Sequence, residues 1–207
     1  MPGLDLSRLS VLSVEDSTFG RQLVRTTLKA LNVGEVREAS DGAEALKMIR
    51  LRKPDIVLTD WEMPHLDGVE LTRILRTARD SPDHFIPIIM VTAHATKYHV
   101  VTARDAGANE YIIKPFSAAS LFSRIRAVIE RPRRFVRLKH YFGPDRRRRD
   151  DPHYRGPARR DDEQVCRPAP GNPLDMEPVL SQDQVDRFYA GDGFGPAPGE
   201  AEMTKPA

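Results

Sequence analysis

Five short apolar runs, each followed by a segment of helical periodicity, constrain this chain more than any other feature. The runs are LSVLSVE (9–15), EVREA (35–39), DIVLTD (55–60), IPIIMVTA (86–93) and NEYIIK (109–114). The helical segments are TFGRQLVRTTLKALN (18–32), GAEALKMIRLR (42–52), GVELTRILRTA (68–78), TKYHVVTARDAG (96–107) and SAASLFSRIRAVIE (117–130). Ser17 and Asp41 stand where a side-chain oxygen can satisfy the free N–H groups of a first turn. Phe19, Leu23, Leu28 and Leu31 are expected on the buried face of the first helix, and Ala45, Leu46 and Ile49 on that of the second. Gly34, Pro54 and Gly107 punctuate the pattern. Strands separated by helices cannot pair as hairpins. The sheet is therefore expected to be parallel, with right-handed crossovers and helices on both faces. The third and fourth runs are apolar on both sides, as a doubly covered sheet requires. The expected fold class is α/β, (βα)5, over residues 8–130.

In an open parallel sheet, ligands bind outside the carboxyl ends of the strands. The first strand ends in Glu15-Asp16, the third in Asp60, the fourth in Thr92-Ala93 and the fifth in Lys114. Each residue alone has an ordinary structural explanation, as a helix cap, a strand residue or a solvated loop residue. Together they place three carboxylates, a hydroxyl and an ammonium on one edge. Crowded acids raise at least one pKa unless a cation joins them, and Mg²⁺ suits one to three carboxylates plus water and a phosphate oxygen. Asp60 is then able to act as a nucleophile toward phosphorus. Phosphoryl transfer is mostly positioning and charge stabilisation, roles that Lys114 and Thr92 are placed to fill.

The segments SVEDS, VLTDWEMPHLDG, PIIMVTA and GANEYIIKPF resemble the response-regulator receiver domain of two-component signalling. The resemblance implies a flavodoxin-like doubly wound sheet in the order 2-1-3-4-5. It implies that Asp60 is the phosphoacceptor and that Glu15 and Asp16 bind Mg²⁺ with the backbone carbonyl of Glu62. It further implies that Thr92 and Tyr111 are the switch pair, that Lys114 contacts the phosphoryl group, and that Lys114–Pro115 is a cis peptide. Glu62 and His94, two residues beyond Asp60 and Thr92, are expected to tune the lifetime of the phosphoryl group. The implied partners are a histidine kinase or phosphotransfer protein and a downstream protein. The latter would read the face near 96–113, which carries Lys97, Tyr98, Val101, Arg104 and Asp105.

Composition changes after Pro132. Residues 131–160 hold 12 basic and 3 acidic residues, and residues 161–207 hold 3 basic and 10 acidic. Eleven of the 17 prolines lie beyond residue 130. Such a composition buries little apolar surface, so 131–207 is expected to be a low-complexity, mostly disordered tail. One exception is LSQDQVDRFYA (180–190), where Ser181 can cap a short helix that would be marginal in isolation. The tail shows no helix-turn-helix pattern, so signalling by protein contact is expected rather than through a fused DNA-binding domain. The alternative is nucleic-acid binding through Arg146–Arg149, Arg155, Arg159 and Arg160. A weaker alternative, an aspartyl-phosphate phosphatase, wants a second Asp two residues after the nucleophile, where this chain has Glu62. Cys166 is the only cysteine, which excludes an intrachain disulfide. With no signal peptide and no apolar run near ~18 residues, a cytoplasmic protein is expected.

Overall fold

The computed structural model describes residues 4–138, 141–145 and 181–190. Five strands and five helices alternate as the pattern requires: β1 (Ser10–Val14), α1 (Thr18–Ala30), β2 (Glu35–Ala39), α2 (Gly42–Leu51), β3 (Ile56–Thr59), α3 (Gly68–Thr77), β4 (Ile88–Thr92), α4 (Lys97–Ala106), β5 (Glu110–Ile113) and α5 (Ala118–Glu130). The sheet has the order β2-β1-β3-β4-β5, and all of its pairs are parallel. The register aligns Val14 with Thr59 and Thr92 with Ile113, so the strands end along one rim.

Helix starts follow their caps. Ser17, Asp41, Asp67 and Ser117 each accept a hydrogen bond from a first-turn amide, and α4 ends on Gly107 at φ 107°, a conformation that glycine adopts without strain. On one face of the sheet, Val24 and Leu28 of α1 and Leu121 and Ile125 of α5 pack on Val11, Ile56, Leu58, Ile89 and Ile112. On the other face, Ala45, Ile49, Leu71 and Leu75 pack on Leu12, Val57 and Ile88. Each buried aliphatic side chain contributes about 1.5–3 kcal/mol. The expected face of α1 needs correction: Phe19 is 78% exposed and Leu23 42%, while Val24 takes the inward position. The spacing of apolar residues was compatible with either stripe, and the sheet selects the one that includes Val24.

Beyond residue 130 two segments fold: a hairpin that the composition did not suggest and the short helix expected within 180–190. Phe135–Leu138 (β6) and Tyr141–Pro144 (β7) form an antiparallel hairpin. Phe135 and Phe142 meet Phe85 with ring centroids 5.0 and 5.4 Å apart. The Arg76 guanidinium lies 5.1 Å from the centre of the Phe135 ring. Arg76 is itself buried and donates to the carbonyls of Gly107 and His84 and to Asn109 Oδ1, each at 3.0 Å. Burial pulls its pKa down to about 10, so it stays charged at neutral pH. The second segment is α6 (Gln182–Ala190), which lies against β5. Residues 146–180, with the arginine run Arg146–Arg149, Arg155, Arg159 and Arg160, and residues 191–207 lie outside the described residues.

Candidate functional site

The rim is built by backbone ladders that run one residue past the strands. Glu15 N donates to Ala39 O at 3.1 Å, Asp60 N to Val14 O at 2.9 Å, and Lys114 N to Thr92 O at 2.8 Å. These bonds fix three functional side chains at one height above the sheet. Lys114 Nζ lies between the carboxylates, 2.5 Å from Glu15 Oε2 and 2.6 Å from Asp60 Oδ2. The other oxygen of Asp60 accepts from its neighbour's amide, Trp61 N, at 2.6 Å. The Lys114–Pro115 bond is cis, as the resemblance implied.

Asp16 stands exposed beside this pair, and Glu15, Asp16 and Asp60 each offer an oxygen within 4.8 Å of the others. The turn that carries Glu15 and Asp16 is held by Arg21, whose guanidinium donates to both backbone carbonyls at 2.6 and 2.8 Å. Arg21 thus fixes the acids without neutralising their carboxylates. Nothing in the sequence signals this tie, because an arginine on the first turn of a helix looks solvated. Gly68 is required by close approach: a Cβ there would fall 1.9 Å from Asp60 O. The Gly68 amide in turn donates to Trp61 O at 2.9 Å, which closes the loop after Asp60.

Electrostatics follow from burial and pairing. Burial pushes the Glu15 carboxyl above its ordinary pKa; the hydrogen bond from Lys114 opposes that shift and the nearby Asp60 charge adds to it. Burial works against the Lys114 charge, but hydrogen bonds to Asp60 and Glu15 overcome it and raise the pKa. Three acids around one ammonium form an oxygen-rich, acid-heavy donor set, which fits a hard divalent cation. A shallow depression lined by Asp16, Trp61, Glu62, Met63, Pro64 and Asp67 opens next to it and leaves the rim accessible.

The remaining expected residues also converge here. Thr92 is buried at the end of β4, and its Oγ1 accepts from His94 N at 3.2 Å. Tyr111 is buried, with its hydroxyl donating to His94 O at 2.7 Å. Tyr111 and Thr92 therefore grip the same loop residue from two sides. Burial raises the Tyr111 pKa, so its phenol stays protonated. Glu62 and His94 lie side by side, with Oε1 and Nε2 3.0 Å apart. His94 further stacks on His99 with centroids 4.1 Å apart, and His99 meets Trp61 edge-on at 4.8 Å. That aromatic column was not read from the sequence, since its members are spread over two loops and a helix.

A parallel sheet of this order, with an acid-heavy rim and a lysine across from the central aspartate, defines a class of signalling domain, and comparison with known proteins gives the same answer. Residues 11–126 match the model of the family described as the response regulator receiver domain. This chain belongs to that family, the CheY-like receiver domains of two-component phosphorelay signalling. Chemotaxis protein CheY-3 of Vibrio cholerae is 36% identical over 123 residues, which are 59% of this chain and 93% of that protein. Chemotaxis protein CheY of Pseudomonas aeruginosa is 35% identical over 123 residues, 59% of this chain and 98% of that protein. Among solved structures, CheY4 of Vibrio cholerae aligns with a TM-score of 0.54 and 31% identity, covering 58% of this chain and 98% of that one. The receiver domain of the sensor histidine kinase PA1611 from Pseudomonas aeruginosa aligns with a TM-score of 0.54 and 30% identity. It covers 59% of this chain and 98% of its own, and has a magnesium ion coordinated in its active site cleft. Among the described residues, no helix is long and apolar enough to cross a membrane.

Proposed function

We propose that Asp60 is the phosphoryl acceptor of a response regulator, charged by a histidine kinase or phosphotransfer protein, and that the chain signals through protein contact. One observation carries the reading: Asp60 Oδ2 lies 2.6 Å from Lys114 Nζ inside a group of three carboxylates whose oxygens converge within 4.8 Å. A structural ion pair needs one acid per base. This rim has two acids more than its lysine can balance, and one of the three, Asp16, lines a depression open to solvent.

Mg²⁺ fits the oxygen donors of Glu15, Asp16 and Asp60, with the Glu62 carbonyl as a further ligand, and when bound it supplies positive charge to a phosphate oxygen. The chain's own residues do the rest. An Asp60 carboxylate oxygen forms a bond to phosphorus while the bond to the donor's leaving atom breaks, and the electron pair departs with that atom. Lys114 holds Asp60 in place beforehand and then donates to a phosphoryl oxygen. The Thr92 hydroxyl donates to another, which draws its loop inward. Tyr111 follows the loop, because its hydroxyl is bonded to His94 O. Glu62 and His94 stand at the entrance and set the rate at which water removes the group. The unit that does this extends over 8–130, with 131–207 appended to it. A cytoplasmic setting matches a kinase as donor.

The test is incubation of the full chain with acetyl phosphate and Mg²⁺, read by intact mass. One phosphoryl group is expected on the wild type, with labelling abolished by a chelator. Labelling that survives chelation, or that maps to a residue other than Asp60, would overturn the reading.

A further inference from the structure

Helix α6 occupies the sheet edge through contacts of four different kinds. Val185 is fully buried and Tyr189 nearly so, among Met90, Val100, Ala103, Ala108 and Tyr111. The side-chain amide of Gln182 reads the backbone of edge strand β5: its Oε1 accepts from Ile113 N at 2.7 Å, and its Nε2 donates to Tyr111 O at 3.3 Å. Asp186 pairs with Arg124 of α5, and Phe188 lies under the Arg104 guanidinium of α4 at 4.9 Å. At the helix C-terminus, Arg133 Nη2 donates to Tyr189 O at 2.9 Å, where a cation also favours the helix dipole. Gln182, Val185, Asp186 and Tyr189 follow the i, i+3, i+4, i+7 spacing of one helical stripe. Ser181 and Gln184 form a reciprocal capping box at the start, Ser181 N to Gln184 Oε1 at 2.8 Å and Gln184 N to Ser181 Oγ at 3.3 Å. Local capping, apolar pattern and charge all fit this one site.

Tyr111 connects this helix to the rim. Its ring packs beside that of Tyr189, with centroids 6.3 Å apart, while its hydroxyl reaches His94 O. Side chains move between staggered rotamers rather than by small drifts. Val185 and Tyr189 pack in the same buried cluster as the Tyr111 ring, so a rotamer that left His94 would break the contacts that α6 makes with it. Docked α6 therefore favours the inward Tyr111.

We propose that residues 181–190 are a built-in ligand for the α4–β5–α5 edge, docked more tightly while Tyr111 points inward, so that phosphorylation of Asp60 and docking of α6 favour each other. The coupling half of this inference rests on the function proposed above for Asp60. Linkage requires the effect to run both ways. A phosphoryl group that draws the Thr92–His94 loop inward tightens α6, and a docked α6 favours the labelled state. The occupant also covers part of the face that the family resemblance assigns to a downstream protein: Arg104 lies over Phe188 of α6, and Lys97, Tyr98 and Asp105 are exposed beside it.

Hydrogen exchange on the full chain tests both halves. An isolated helix of this length is marginal in water, so protection of the 182–190 amides reports docking itself. The wild type is expected to protect them on the order of tenfold or more over a free peptide. Val185→Asp is expected to return them to free rates while the β3 amides keep theirs, which shows that the domain stays folded. Gln182→Ala, a milder change, is expected to give an intermediate loss. Free exchange in the wild type, or protection that survives Val185→Asp, would overturn docking. Protection that grows with protein concentration would overturn the intrachain assignment in favour of exchange between copies. With acetyl phosphate and Mg²⁺, protection is expected to rise several-fold in the wild type and to stay unchanged in Asp60→Asn. Equal protection in labelled and unlabelled wild type would overturn the coupling. Failure of labelling itself, seen by mass, falls on the reading of Asp60 and leaves the docking result standing.

Discussion

Two charged clusters sit at opposite ends of β5, and they are built on different principles. At the carboxyl end of the sheet, Glu15, Asp16 and Asp60 share one close ammonium, that of Lys114. Under α6, Glu110 and Asp186 face Arg124 and Arg133, two acids against two bases. The second cluster is balanced in charge as it stands, and burial only demands that its partners remain. The first is acid-heavy and open to solvent, so it gains from any further cation or from a group that consumes a carboxylate charge. Imbalance in a preorganised cluster therefore marks chemistry, and balance marks architecture.

Substitutions at the two clusters test that contrast. The largest effect is expected from Asp60→Asn, which should abolish labelling by acetyl phosphate while leaving the thermal transition within a few degrees; intact mass and melting measured together decide. At the balanced cluster, Arg124→Met should do the reverse. Removing the Arg124 guanidinium takes one of the two bases facing Glu110 and the base paired with Asp186; breaking a buried pair costs about 3–5 kcal/mol, visible in urea unfolding. Labelling of the fraction that remains folded should persist. Lys114→Met is expected to slow labelling ~10²-fold, the usual consequence of removing one donor from a developing oxyanion, in single-turnover mass kinetics. The smallest effect belongs to Glu62 and His94, an exposed carboxylate beside a half-buried imidazole. Removing either should change the lifetime of the phosphoryl group by about twofold to fivefold, the scale of a single surface side-chain contact, in a dephosphorylation time course. If Arg124→Met suppressed labelling as strongly as Lys114→Met does, the separation between the clusters would fail.

The rim was legible because its logic is local to each strand end. Glu15, Asp60, Thr92 and Lys114 each close an apolar run, and a parallel sheet aligns such ends whatever the loops do. The core helices were legible for the same reason, apart from α1, where Phe19 and Leu23 looked as apolar as Val24 and only the sheet could choose among them. What escaped the sequence was contact between distant segments of modest hydrophobicity. The β6–β7 hairpin reads as arginine-rich coil, because Phe135 and Phe142 find their partners at Phe85 and Arg76, some fifty residues earlier. The stripe of α6 was visible as a pattern, yet nothing in it says that Gln182 will bond the backbone of β5. Periodicity tells which side of a helix wants burial and is silent about where the burying surface lies.

Because α6 shares a polypeptide with the face it covers, it is always present in one copy per face, whatever the expression level. A covalently linked segment acts as though it were supplied at up to millimolar strength. Any outside protein that wants the same edge must outcompete this resident, so weak and promiscuous visitors are turned away while a tight, cognate one displaces it. Joining α6 to the domain thus sets an affinity threshold for its listeners.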